Sequence, residues 1–197
     1  MRGLGLPSLT AVPCLLLLFL GCGGTSTSVA PTITGFTPSS GVVATTVTVT
    51  GTGFSSGLTS VTLGGVTVAS TTGTIVSATE LTFPVPTAAV TGAITLVGSG
   101  GTATSATEFI VTPVITTLSP VTGSASEGTP VTISGSGLMG ITQIAFGTTV
   151  ASPTTQTANE IIVPVPAGAN VGVDTVTFTI NSSYDLANLL SSFTVTN

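Results

Sequence analysis

The side chains able to do chemistry are few and scattered in this 197-residue chain. There are six carboxylates, Glu80, Glu108, Glu127, Glu160, Asp174 and Asp185. Against them stands one basic residue, Arg2, with no lysine and no histidine. Serine and threonine abound, but a hydroxyl nucleophile needs a base to take its proton, and neither His nor Lys is present. The hydroxyls therefore read as strand and turn residues, and no catalytic residue is assigned. Zinc requires His or Cys ligands, and only Cys14 and Cys22 are present. Calcium requires several clustered oxygens, and no Asp-x-Asp cluster occurs, so neither metal nor other cofactor is expected. Two carboxylates that cleave a glycosidic bond stand about 5–10 Å apart. Glu80 and Glu160 hold the same position in two repeats, which separates them. Asp174 and Asp185 flank Thr175–Ile180, a run that spans roughly 20 Å as a strand. A non-enzymatic protein is the expectation.

Composition narrows the partners. Charged residues make up 4% of the chain and its formal net charge is −5. Nucleic acid binding needs phosphates neutralised by Lys and Arg, which excludes that class, and electrostatic docking on anionic lipid fails for the same reason. Sugar-binding faces usually stack aromatic rings on the ligand. The chain has no Trp, and its single Tyr is Tyr184, beside Asp185. These two residues are the candidate ligand contacts. Asn181-Ser182-Ser183 fits an N-glycosylation sequon, a three-residue match common by chance.

The elements that position these residues begin with an address. Arg2 precedes an apolar run centred on Leu15–Leu20, broken by Pro7 and Pro13 and shorter than the ~20 residues of a spanning helix. It ends in Phe19-Leu20-Gly21-Cys22, which resembles the lipobox of bacterial lipoproteins; Phe19 and Leu20 depart from the usual residues there. The resemblance implies a signal peptide over 1–21 and lipidation of Cys22. Loss of Cys14 with the signal leaves no disulfide, so β packing alone must hold the mature chain. Gly23 is not the Asp that retains such proteins at an inner membrane, which favours the outer membrane or cell surface. Residues 22–30, rich in Gly, Ser and Thr, read as a flexible linker.

Beyond the linker the sequence repeats. Val47–Phe54 (Val-Thr-Val-Thr-Gly-Thr-Gly-Phe) returns as Val131–Leu138 (Val-Thr-Ile-Ser-Gly-Ser-Gly-Leu). Alternation of apolar and hydroxyl residues marks a strand with one buried face. Pro31-Thr-Ile33 matches Pro113-Val-Ile115, Glu80–Pro86 matches Glu160–Pro166, Gly92 matches Gly172, and Phe109-Ile-Val111 matches Phe193-Thr-Val195. Domains are placed at 31–112 and 113–197 with almost no linker. In the first, strands are expected near Thr32–Phe36, Thr46–Thr50, Ser60–Leu63, Val66–Ala69, Glu80–Phe83, Ala93–Val97 and Glu108–Val111. Seven short strands at this spacing predict a sandwich. Pro84, Pro86, Pro164 and Pro166 cannot donate to a ladder, so they should end strands or guard edges in a chain without edge lysines.

The motif set Pro31-x-Ile33-x-x-Phe36-x-Pro38-x-x-Gly41, Val47-x-Val49-x-Gly51-x-Gly53-Phe54, Pro84-x-Pro86, Gly92, Gly100-Gly101-Thr102 and Phe109-x-Val111 resembles the IPT/TIG family of immunoglobulin-like domains. The second copy departs from it where Asn181–Leu190 replaces the Gly-Gly-Thr turn. The resemblance implies an all-β chain of two tandem immunoglobulin-like β-sandwich domains. It also implies a bacterial extracellular or surface module, used as a spacer or binding unit. The family's DNA-contacting members use basic loops, which this chain lacks. The expected protein is held to a membrane by its N-terminal lipid and acts as a structural spacer, display or adhesion module. The alternative is a binder of a polysaccharide or an envelope protein through second-domain loops.

Overall fold

The computed structural model describes residues 28–69, 73–180, 184–185 and 191–197. The expected signal peptide over 1–21 and Cys22 lie outside the described residues, as does most of Asn181–Leu190.

Alternating Val/Thr sequence folds as the period-two rule requires. In Thr46–Thr52, Val47 and Val49 are buried while Thr46, Thr50 and Thr52 face solvent. The first domain contains β1 (Thr32–Thr37), β2 (Ser40–Gly41), β3 (Thr46–Thr52), β4 (Leu58–Leu63), β5 (Val66–Thr67), β6 (Thr74–Ile75), β7 (Glu80–Pro84), β8 (Gly92–Gly98) and β9 (Gly101–Val111). They form a four-stranded sheet ordered β1-β3-β7-β6 and a five-stranded sheet ordered β2-β9-β8-β4-β5. The second domain repeats the plan with β10 (Val114–Ser119), β11 (Thr122–Ser124), β12 (Pro130–Ser136), β13 (Ile141–Phe146), β14 (Thr149–Ala151), β15 (Thr155–Gln156), β16 (Glu160–Pro164), β17 (Gly172–Ile180), β18 (Tyr184–Asp185) and β19 (Ser191–Thr196). Its sheets run β10-β12-β16-β15 and β11-β19-β17-β13-β14, with β18 also on β17. The fold is the expected all-β pair of immunoglobulin-like sandwiches. All seven expected strands of the first copy are present. The two-residue strands β2 and β6 were not foreseen, because two residues carry no periodicity.

Each domain closes on its own apolar core. The first is built from Val47, Val49, Phe54, Leu63, Leu81, Phe83, Ile94, Leu96 and Phe109, all at most 2% exposed. The second uses their counterparts, Val131, Ile133, Leu138, Phe146, Ile161, Val163, Val176 and Phe193. Phe146 and Phe193 meet edge to face with ring centroids 5.2 Å apart, an arrangement favoured by the ring quadrupole. Gly51 and Gly135 recur because β1 and β10 pass directly over them. A side chain there would run into the backbone carbonyl of Thr32 or of Val114. Pro84 and Pro164 are the last residues of their strands, as their missing N–H groups demand.

The register corrects one match made from sequence. Gly92 pairs with Phe109, but Phe193, the counterpart of Phe109, pairs with Asp174 and not with Gly172. The turn glycines agree: Gly64 N–H donates to Ala93 O, and Gly147 N–H donates to Thr175 O. Asp174 is thus the counterpart of Gly92, and the second copy holds two extra residues before it. Gly-x-Gly-like spacing alone could not reveal an insertion of that length.

With so little charge, hydroxyls solvate the outer faces. Across the first four-stranded sheet Thr37, Thr48, Thr82 and Thr74 stand in one row, strand by strand. Thr32 and Thr52 share a hydrogen bond of 2.7 Å on the same sheet. In the second domain the matching row is Ser119, Thr132, Ile162 and Thr155.

Candidate functional site

The carboxylates remain dispersed. Glu108, Glu127 and Glu160 are exposed, and Glu80 is half-buried at the start of β7 opposite Thr50. Among the described residues no group of three or more His, Cys, Asp or Glu could hold a metal ion. Asp174 is the unusual one. Its carboxylate lies against the Gly147 turn, and its buried Oδ2 has no hydrogen-bond partner. Gly147 leaves room for it, since a Cβ there would stand 2.7 Å from Asp174 Oδ1.

Tyr184 and Asp185, the two candidate contacts, are placed by their backbone on β18, where Ile180 pairs with Tyr184 and Thr179 with Asp185. This is the ladder position that Gly101 and Thr102 hold in the first domain, opposite Gly98 and Val97. The divergent segment therefore retains the hairpin of the first copy before it departs.

A site that the sequence did not indicate lies at one edge of the first sandwich. The terminal strands β5 and β6, each only two residues long, leave a gap between the sheets. The gap is a cleft of about 310 Å³. Leu58, Val61, Val68, Ile75 and Leu81 supply its aliphatic surface, and Thr59, Ser60, Thr67 and Thr74 complete the lining. Among the described residues no charged or aromatic side chain lines it. Leu81 and Val68 belong to the buried core, whereas Ile75 is 48% exposed. Beyond β5 a second hollow of about 420 Å³ is backed by Val43, Val66, Pro84 and Pro86.

The second domain treats the same edge differently. Ile75 pairs with Leu81, and its counterpart Gln156 pairs with Ile161. Gln156 Nε2 donates to the carbonyl oxygens of Leu138 and Ile141, at 2.8 and 2.9 Å. One amide thereby joins the edge strand to the turn that starts β13. Ile75 cannot make either bond. The only advance sign was an isoleucine in one copy facing a glutamine in the other, inside stretches too dissimilar to align by eye.

Comparison with known proteins follows this geometry. The IPT/TIG domain model matches twice, over residues 31–111 and 113–195. The chain belongs to the IPT/TIG family. No curated protein matches it. Among solved structures, a surface glycan-binding protein of Prevotella bryantii is similar at 14% identity and a TM-score of 0.50, over 84% of this chain and 41% of that one. A protein from a xyloglucan utilization locus of Bacteroides uniformis matches at 20% identity and 0.35, over 76% and 46%. The extracellular region of plexin A4 matches at 21% and 0.41, over 87% and 19%. The chain spans less than half the length of each of these structures. At such identities the likeness is one of fold.

Proposed function

We propose that this IPT/TIG chain is a non-enzymatic, lipid-anchored surface protein of a bacterial envelope. In this reading its paired sandwiches act as a spacer or display unit. The carrying observation is the presence of two separately cored sandwiches that follow in series, β9 ending at Val111 and β10 starting at Val114. The Phe19–Cys22 sequence supports the anchor, with Cys22 as the lipidated residue. The test is intact-mass spectrometry of membrane fractions. A diacylglyceryl-modified Cys22 is expected, and Cys22→Ser should release the protein from membranes or block its processing. An unmodified N-terminus elsewhere would end the reading.

A binding role is the second reading, and an envelope protein or a polysaccharide is the partner it needs. The shared fold of the Prevotella bryantii glycan-binding protein makes soluble glycans the first ligands to test. Tyr184 and Asp185 are the proposed contacts, since binding residues concentrate on segments carried by a rigid scaffold. If Tyr184 is an anchor, Tyr184→Ala in the full chain weakens glycan binding by about 1–2 kcal/mol. Equal binding by both proteins would remove this segment from consideration.

A further inference from the structure

We infer that the cleft between the sheets of the first domain binds an uncharged ligand with a compact aliphatic body and a single hydroxyl or carbonyl group. The inference depends neither on lipid anchoring nor on the Tyr184 segment.

Five observations select that chemistry. The cleft volume of about 310 Å³ stands at the small end of ligand pockets, which begin near ~300 Å³. Its aliphatic surface comes from Leu58, Val61, Val68, Ile75 and Leu81, which suits branched or straight alkyl groups. It has no ring to stack on a sugar, so a free sugar gains little there. It has no cation, and the chain carries none after Arg2 while its net charge is −5. An anionic ligand would lose its hydration with nothing to compensate it. The remaining lining residues, Thr59, Ser60, Thr67 and Thr74, are polar but uncharged, which admits a neutral hydroxyl or carbonyl group on the ligand.

The difference between the copies points the same way. Had this edge served packing alone, the solution used in the second domain, a glutamine tied to two carbonyls, would serve equally in the first. The first domain instead keeps Ile75 half-exposed beside the gap, where the side chain adds apolar wall to the cleft. A ligand in the cleft would bury the exposed half of Ile75 as well.

The probe is 1-octanol, followed by methyl-region NMR titration of the full chain. Octanoate and glucose serve as contrasts. Octanol should shift the methyl signals of Val61, Val68, Ile75 and Leu81 saturably. Octanoate should bind at least tenfold more weakly, and glucose should leave these signals unmoved. Ile75→Gln should weaken octanol binding at least tenfold; its position is exposed, so the fold is expected to survive. Two further variants, Val61→Thr and Thr67→Val, probe the floor and the rim, and the first should weaken binding. The inference is overturned if octanol fails to shift these methyls up to its solubility limit. It is overturned equally if Ile75→Gln and Val61→Thr both bind like wild type, or if octanoate binds as well as octanol.

Discussion

The two domains share one plan yet differ at two places, and the differences are more informative than the likeness. Where the first domain lays Gly92 on Gly64, the second lays Asp174 on Gly147. Where the first leaves Ile75 beside an open gap, the second ties the edge down with Gln156. Both substitutions replace a small or apolar residue by a polar one against the backbone of a turn. Both sit on the sheet periphery, while the phenylalanine core is kept. The core thus defines the fold, and the edges are where one copy can acquire a property that the other lacks.

The largest expected effect tests whether the cores are separate. Phe109→Ala and Phe193→Ala each remove a fully buried ring, a change that costs about 3–5 kcal/mol. Calorimetry should show two transitions, each variant lowering only its own. A common loss of both transitions would mean that the domains unfold as one unit.

The next effect concerns the turn contact. A Cβ on Gly92 would stand 2.7 Å from the Gly64 Cα, so Gly92→Asp forces backbone apart and should cost ~2–3 kcal/mol. The reverse change, Asp174→Gly, removes a carboxylate with an unpartnered buried oxygen and gains glycine's chain entropy cost. Its net effect should stay within about 1 kcal/mol. Chemical denaturation of both variants checks the asymmetry, and equal losses would refute it.

The smaller effects lie at the sheet edges. Gln156→Ala removes two hydrogen bonds from the second domain's edge strand, leaving Leu138 O the Ile141 N–H, and should cost about 1 kcal/mol. Ile75→Ala, at a position 48% exposed, should change stability by no more than ~0.5 kcal/mol.

Much of this architecture was legible in the sequence, for physical reasons. Strict alternation in Val47–Thr50 and Val131–Ser134 identified the strands, because one face of each meets a core. Gly51 and Gly135 stood out as a repeat, but the reason for them, a carbonyl of β1 or β10 lying where a Cβ would be, needs the register of those strands. The two-residue insertion before Asp174 was invisible, since Gly92 and Gly172 are matched by type and spacing, and only hydrogen-bond register separates them. The cleft was equally hidden. It arises from the shortness of β5 and β6 and from one residue's reach across the gap, quantities that need three dimensions. Ser105 is another such case. It is buried at an irregularity between β8 and β9, where its Oγ accepts from Ile94 N–H and donates to Thr107 O. The sequence around it shows only one more hydroxyl among many. Tyr184 and Asp185 stood out as rare side chains, yet their strand pairing followed the first copy's Gly101-Thr102 hairpin, which residue type could not announce.

The claim that one edge residue distinguishes the two copies is tested most directly by exchanging it. The variant Ile75→Gln/Gln156→Ile should be titrated with 1-octanol beside wild type, with methyl signals of both domains followed by NMR. In wild type the shifts should fall on Val61, Val68 and Leu81 of the first domain. In the exchanged protein they should fade there and appear on Ile144, Ala151 and Ile161 of the second. Shifts that stay in the first domain after the exchange, or that fall on the second domain in wild type, would contradict the account.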